Sequence, residues 1–286
     1  MSTRIVLVTA TETPVPDTEL GILRSAAARA GFDAEIAAWD DPAVSWGDYD
    51  VALIRSTWNY PDKIDEFQAW ADATGSVTRL VNDPAIVRWN SVKTYLGDLT
   101  AAGIPTVPTT FVPPGAPISL PGYDDFVVKP TVGGGARGAR RYRATDAHEA
   151  PDHVRTLHAS GFTAMVQPYQ RRVESDGERA IVYFGGEFSH AIVKGAVLAT
   201  ESGRRGAESH PNPRPYEPTG AEHGLARAVL AAAPARPLYG RLDLVLDDAG
   251  QPIVMEAELI EPQLFLASAP GAEDRLLRAV KELPRG

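Results

Sequence analysis

The first 83 residues alternate short apolar runs with amphipathic stretches. Ile5, Val6, Leu7 and Val8 predict a buried strand over 4–8. Leu20, Leu23 and Ala27, at helical spacing, predict a helix over 18–30 that stops at Gly31. Strands are expected over 34–38 and 51–55, then a helix opening on Pro61 and carrying Phe67 and Trp70, then a short strand at Leu80 and Val81. This alternation implies a parallel sheet with helices on its faces. A helix over 90–102, with Tyr95, Leu96 and Leu99 as its stripe and Gly103 as its stop, leads into a different pattern. From there the strands are expected to pair locally: 109–112, 126–129, 140–143, 164–167, 180–184 and 188–193, with Gly185 and Gly186 as a hairpin turn. Helices fit 146–160, 219–233 and 272–283. Residues 201–218, rich in Pro, Gly and Arg, carry no apolar period and read as a long surface loop or lid. The fold class is an α/β domain over 1–88 followed by α+β subdomains over 89–165 and 166–286.

Composition narrows the chemistry. The 286 residues contain no cysteine, which removes disulfides, thiolate zinc sites and cysteine nucleophiles. The formal charge of −9 argues against nucleic-acid or anionic-membrane partners. No run approaches the roughly 20 apolar residues of a membrane span, and no targeting signal is visible, so the cytoplasm is the expected compartment. Only five of the 28 basic residues are lysine. A compact ammonium is not interchangeable with a guanidinium fork, so Lys93, Lys129 and Lys194 stand out in a chain that otherwise uses arginine. His148, His153 and His158 recur every five residues and do not keep one helical face, which disfavours zinc. No nucleophile-elbow serine pattern is present.

The strongest chemical signal is the C-terminal hairpin, with strands over 239–246 and 252–260 joined by Asp247, Asp248, Ala249 and Gly250. Alternation places Arg241 and Asp243 on one face of the first strand, and Glu256 and Glu258 on one face of the second, opposite Met255 and Ala257. A four-residue turn sets Arg241 across from Glu256. Three carboxylates and an arginine then share a face, and like charges brought that close call for a cation. Oxygen ligands without His or Cys point to Mg2+. A solvated polar face is the plainer reading, and Ile260 with Leu264, Phe265 and Leu266 nearby weakens it.

Gly133, Gly135 and Gly138 spell G-x-G-x-x-G, but the following segment, 140–143, reads as a strand, which excludes a dinucleotide fold. A glycine-rich turn between two strands, just after Lys129, suits a flap whose amides close over phosphates. A plain hairpin turn is an equal alternative on this signal alone. Lys93 sits in a predicted helix start and Lys194 ends a strand. The stretch from Met165 to Tyr169 is a strand running into a proline turn.

Taken in order, these pieces resemble the ATP-grasp superfamily, in the branch of glutathione synthetases and glutamate ligases that modify ribosomal proteins, over about residues 84–286. The resemblance implies that Lys93 and Lys129 hold the nucleotide phosphates, with Gly133, Gly134 and Gly135 in the flap. It implies that Gln167, Pro168 and Tyr169 pass the adenine and that Glu174 or Glu178 reaches the ribose. Lys194 and Arg241 would face the transferred phosphate, and Asp243, Glu256 and Glu258 would hold Mg2+. The N-terminal domain would supply substrate contacts from Arg55, Ser56, Trp58 and Tyr60. More narrowly, the runs from Arg88 to Lys93, Tyr183 to Ala191 and Glu258 to Pro262 are similar to the O-ureido-serine cyclo-ligases of cycloserine biosynthesis. Two departures stand out: Glu258 replaces the family's usual asparagine, and Val92 stands where an acid commonly precedes the first lysine.

What the resemblance implies is an ATP- and Mg2+-dependent ligase. It would activate a small amino-acid-like carboxylate as an acyl phosphate for attack by a nitrogen, with a homodimer as the candidate assembly. A nucleotide-binding module without turnover and a small-molecule kinase are the rival classes.

Overall fold

The structure, a computed structural model, describes residues 2–198 and 213–284. Three sheets carry the chain. The first is parallel, in the order β2-β1-β3-β4, from β1 (Arg4–Thr9), β2 (Asp33–Ala38), β3 (Val51–Ser56) and β4 (Arg79–Val81). Three helices belong to its connections and flanks, α1 (Leu20–Arg29), α2 (Ile64–Val77) and α3 (Pro84–Asn90), while α4 (Tyr95–Ala101) packs with residues of the two later sheets. All six residues of β3 are buried, Arg55 among them, as a central parallel strand requires.

The second sheet is antiparallel, in the order β5-β8-β6-β7: β5 (Thr110–Val112), β6 (Asp125–Pro130), β7 (Arg140–Arg143) and, after α5 (Ala150–Ala159), β8 (Ala164–Pro168). After the single turn α6 (Val173–Asp176) comes the third sheet, β11-β10-β9-β12-β13. It contains β9 (Glu178–Phe184), β10 (Glu187–Lys194), β11 (Arg214–Pro215), β12 (Tyr239–Leu246) and β13 (Pro252–Glu258), with α7 (Gly220–Ala232) packed on it. The last helix, α8 (Ala272–Lys281), returns to the first sheet, where Leu276, Leu277 and Val280 join Ile5, Leu7 and Leu23 in one core. No helix of the described residues is long and apolar enough to cross a membrane.

Several expectations are corrected. Pro61 does not open a helix: Tyr60–Asp62 form a single 3-10 turn, Lys63 breaks it with φ −142°, and α2 begins at Ile64. The helix expected over 90–102 begins only at Tyr95, as α4, after α3 has ended at Asn90; between them the Lys93 amide donates to Thr131 O at 2.7 Å instead of joining a helical ladder. Lys93 therefore lies in the joint between α3 and α4. The subdomain division at 165 falls inside β8, which completes the second sheet through Pro168. In the expected loop over 201–218, residues 201–212 lie outside the described residues, whereas Arg214–Pro215 pair with Val193 and Ile192 as a short strand.

Candidate active site

The register of the C-terminal hairpin decides how its charges meet. Arg241 pairs with Glu258 and Asp243 with Glu256, two residues away from the simple-turn expectation. One residue of the shift comes from Gln251, which stays in the turn, so that Leu246 pairs with Pro252. The other comes from a bulge at Met255, where the ladder slips between Asp243 and Leu244. The slips add to an even number and leave Glu256 and Glu258 facing Asp243 and Arg241. The bulge also brings Met255 onto the acids' side, in the lining of the same cleft, against the expected alternation.

That cleft lies between the second and third sheets. Lys93, Lys129, Lys194 and Arg241 line it together with Asp243, Glu256 and Glu258. Gly133, Gly134 and Gly135 cover one side, and Gln167, Pro168 and Tyr169 border another. Val127, Val173, Leu198 and Met255 give this end of the cleft an apolar lining, which suits a purine.

The charges are interleaved. Arg241, 1% exposed, donates Nε to Asp243 Oδ1 and Nη2 to Asp243 Oδ2, both at 2.9 Å, while Nη2 also reaches Glu258. Its Nη1 donates to Gln263 O at 2.9 Å. Five guanidinium N–H groups are available, so one on Nη1 has no acceptor among the described residues. Lys194 Nζ sits 2.8 Å from both Asp243 Oδ2 and Glu178 Oε1. Lys93 Nζ lies 2.9 Å from Glu256 Oε1 and also donates to Gly133 O, tying the base of the flap to an acid. Burial pushes Lys129 below the usual lysine value, and it has no ion pair among the described residues. It is a buried cation whose charge an incoming anion would stabilise.

The three acids are not equivalent. Despite complete burial, Arg241 and Lys194 hold the Asp243 carboxyl well below the usual range. Both its oxygens accept from these cations, Oδ1 from Arg241 and Oδ2 from Arg241 and Lys194, so it orients the two side chains. Glu256 and Glu258 each use one oxygen and keep the other open. Burial pushes Glu258 up to about 8, with Asp243 and Glu256 adding to it against Arg241. Among the described residues no three acidic or histidine side chains form a ready metal cage. Mg2+ does not need one, because it is commonly held by one or two carboxylates with substrate phosphates and water. Two hard oxygen donors beneath the flap fit that requirement.

Other expected contacts fall elsewhere. Glu178 is taken up by Lys194, while Glu174 stands outside the cleft lining and accepts from Arg141 at 2.8 Å. Arg141 also stacks its guanidinium carbon 3.4 Å from the Tyr169 ring centre. Gln167 turns its side chain away to donate to Thr109 at 2.8 Å. Arg55, Ser56 and Tyr60 are buried and do not line the cleft. Arg55 Nη2 donates to Pro262 O at 2.6 Å, and Ser56 Oγ lies 2.9 Å from Thr9 Oγ1. Trp58 Nε1 donates to Glu261 O at 3.0 Å, while its own carbonyl accepts from the flap's Arg137 at 3.1 Å. These residues support the walls around the cleft. Glu261 carries no signal in the sequence pattern; hydrogen-bonded to Tyr60 and raised to about 7 chiefly by burial, it sits beside Lys93 and Glu256.

Known proteins resemble this chain in sequence and fold. Residues 5–82 match the family of the D-cycloserine synthetase DcsG N-terminal domain. The cycloserine biosynthesis protein DcsG of Streptomyces lavendulae is 35% identical over 281 residues, covering 93% of this chain and 94% of that protein. The crystal structure of D-cycloserine synthetase DcsG superposes with a TM-score of 0.89 at 33% identity, covering 98% of this chain and 99% of that one. D-alanine–D-alanine ligase from Bacillus anthracis, complexed with ATP, shares the fold with a TM-score of 0.68 at 19% identity, over 98% and 97% of the two chains.

Proposed function

The chain belongs to the family of the cycloserine biosynthesis protein DcsG, among the ATP-grasp ligases, and on that premise we propose that it closes the ring of O-ureido-serine to give cycloserine at the expense of ATP. The reading is carried by one observation: four cations and two carboxylates with open oxygens line a single cleft under a glycine-rich loop. Phosphoryl transfer asks for little covalent chemistry from a protein and much positioning of charge. Lys129, Lys93 and the open Nη1–H of Arg241 are the groups for the phosphates, and the apolar end takes the adenine. Glu256 and Glu258 would hold Mg2+, which neutralises charge on the phosphoryl group being transferred.

In this scheme a substrate carboxylate oxygen attacks the γ-phosphorus, ADP leaves, and an acyl phosphate forms. The ureido nitrogen bound to the side-chain oxygen of the same molecule then attacks the acyl carbon and phosphate departs; hydrolysis of the carbamoyl group left on the ring nitrogen, with release of CO2 and NH3, gives cycloserine. Holding both ends in one cleft is worth an effective concentration on the order of 10⁵ M or more. Lys194, buried between Asp243 and Glu178, keeps Asp243 ionised so that Arg241 stays fixed. The flap keeps water from the acyl phosphate.

The test is to incubate the protein with ATP, Mg2+ and O-ureido-serine, and to follow ADP release and the ring product by mass spectrometry. ADP with cycloserine is expected. Hydroxylamine should intercept the acyl phosphate as a hydroxamate. ADP release without either product, or turnover only with a different amino acid, would replace this substrate.

A further inference from the structure

After β13 the chain runs irregularly over residues 259–266, so its backbone groups must find partners outside a ladder. They are supplied by side chains from distant positions. Leu259 N–H donates to Asn90 Oδ1 at 2.8 Å, and Leu259 O accepts from Asn82 at 2.7 Å. Tyr239 Oη lies 2.6 Å from Ile260 O. Arg55 takes Pro262 O, Arg241 takes Gln263 O, and His190 Nε2 donates to Leu264 O at 2.7 Å.

Two further bonds concern the strained residue of this segment. Phe265 has φ +54° and ψ +38°, in the left-handed region. For a residue with a side chain this costs on the order of 1 kcal/mol. Glu19, from the N-terminal domain and 4% exposed, lays its carboxylate across that residue. Oε2 accepts from Leu264 N–H and Oε1 from Leu266 N–H, each at 2.8 Å. Arg55 Nη2 stands 3.7 Å from Glu19 Oε2 and balances the buried charge. With this turn in place, the Phe265 ring lies 5.4 Å from the guanidinium carbon of Arg241.

We propose that Glu19 is a positioning residue for the ligase reaction: by bridging the amides on both sides of Phe265, it holds the turn that fixes one face and one edge of Arg241. Glu19 itself does not line the nucleotide cleft. Its influence passes through Phe265 and the Gln263 carbonyl to the arginine that meets the transferred phosphate. The inference rests on the role given to Arg241 above.

Glu19→Gln tests it, since it keeps the volume but turns an amide NH2 against one of the two N–H groups. Steady-state ADP release should show kcat reduced about tenfold to a hundredfold, the scale of a small misplacement at a reacting centre. The KM for ATP should stay within about twofold, as expected when ground-state binding is untouched. In an Arg241→Lys background, Glu19→Gln should cost little more, because both changes act on the same group. A lowered melting temperature with unchanged kcat would overturn the proposal, as would a loss that multiplies undiminished onto Arg241→Lys. If Glu19→Gln fails to fold, Phe265→Ala gives the same reading: lowered kcat with constant KM for ATP supports the proposal, and unchanged kcat refutes it. If the wild type itself makes no ADP from O-ureido-serine, the substrate assignment is what fails. A crystal structure of Glu19→Gln then decides the present point: Phe265 leaving the left-handed region and Arg241 losing Gln263 O supports it, and an unaltered turn refutes it.

Discussion

Two irregular loops, one lining the nucleotide cleft and one packed behind its Arg241, are held in opposite ways. Residues 259–266 are gripped by buried side chains from four parts of the chain, Glu19, Arg55, Asn82 and the pair Tyr239 and Arg241, so that Leu259, Ile260, Pro262, Gln263, Leu264 and Leu266 all have a backbone group engaged. The glycine-rich segment, 131–138, has fewer side-chain ties to its backbone, Lys93 to Gly133 O and His153 to Gly138 O, while Arg137 near its tip reaches Trp58 O and stands 3.9 Å from Asp62. Several of its residues have positive φ: Gly133, Gly135, Ala136 and Gly138. The pinned loop carries the surroundings of Arg241, whose value lies in being fixed before charge develops. The flap must admit a nucleotide and then cover it, which favours a backbone with few outside commitments. The same cleft thus has a many-bonded backing behind Arg241 and a sparsely tied glycine-rich cover.

The sharpest break of this contrast is at the backing. Arg241→Ala should lower kcat about a thousandfold, in line with loss of a preorganised donor, and also leave Asp243 and Glu258 without their shared partner. Stopped-flow or steady-state ADP release measures it. Next in size is Asn82→Ala. Its side chain donates to Tyr239 O and Leu259 O and accepts from Leu238 N–H, all within 2.8 Å. Removing it strands three buried backbone groups and should cost about 3 kcal/mol in urea unfolding. On the cover, Gly138→Ala meets φ +68° and would bring a methyl group 3.2 Å from Pro130 Cδ. A left-handed alanine costs roughly 1–2 kcal/mol, so kcat/KM for ATP should fall about tenfold, with unfolding less affected than for Asn82→Ala.

The smallest effect concerns pH. Burial pushes His190 down to about 4, and its neutral ring donates to Leu264 O while Nδ1 pairs with Ser189 at 2.9 Å. In the unfolded chain the ring titrates near its ordinary value of about 6.5. Between those values the unfolded state binds the extra proton, so stability is full above about 6.5 and is lost as pH falls toward 4. The urea midpoint of the wild type should therefore drop more between pH 7 and pH 5 than that of His190→Gln.

The two regions are unequally legible in the sequence. Alternation along β12 and β13 is enough to gather Arg241, Asp243, Glu256 and Glu258, because side-chain direction in a strand is local. The bulge at Met255 is not legible, since a slip in pairing depends on both strands. Lys93 stands out as a rare lysine, but its place in the joint between α3 and α4 depends on Thr131 O, a partner from another sheet. The pinned loop is the least visible. Glu19, Asn82 and Tyr239 act over separations of up to 247 residues and leave no local pattern. One signal does exist: an arginine inside Val51–Ser56, an otherwise apolar central strand, calls for a buried partner. The family resemblance points Arg55 at the substrate instead, and the structure turns it toward Pro262 and Glu19.

The central claim is that a substrate carboxylate accepts the γ-phosphoryl group in this cleft. O-ureido-serine labelled with ¹⁸O in its carboxyl group tests it directly, with the released phosphate analysed by mass spectrometry. An acyl phosphate route transfers one carboxyl oxygen to each phosphate, so singly labelled phosphate is predicted. Unlabelled phosphate accompanying ADP would contradict the account.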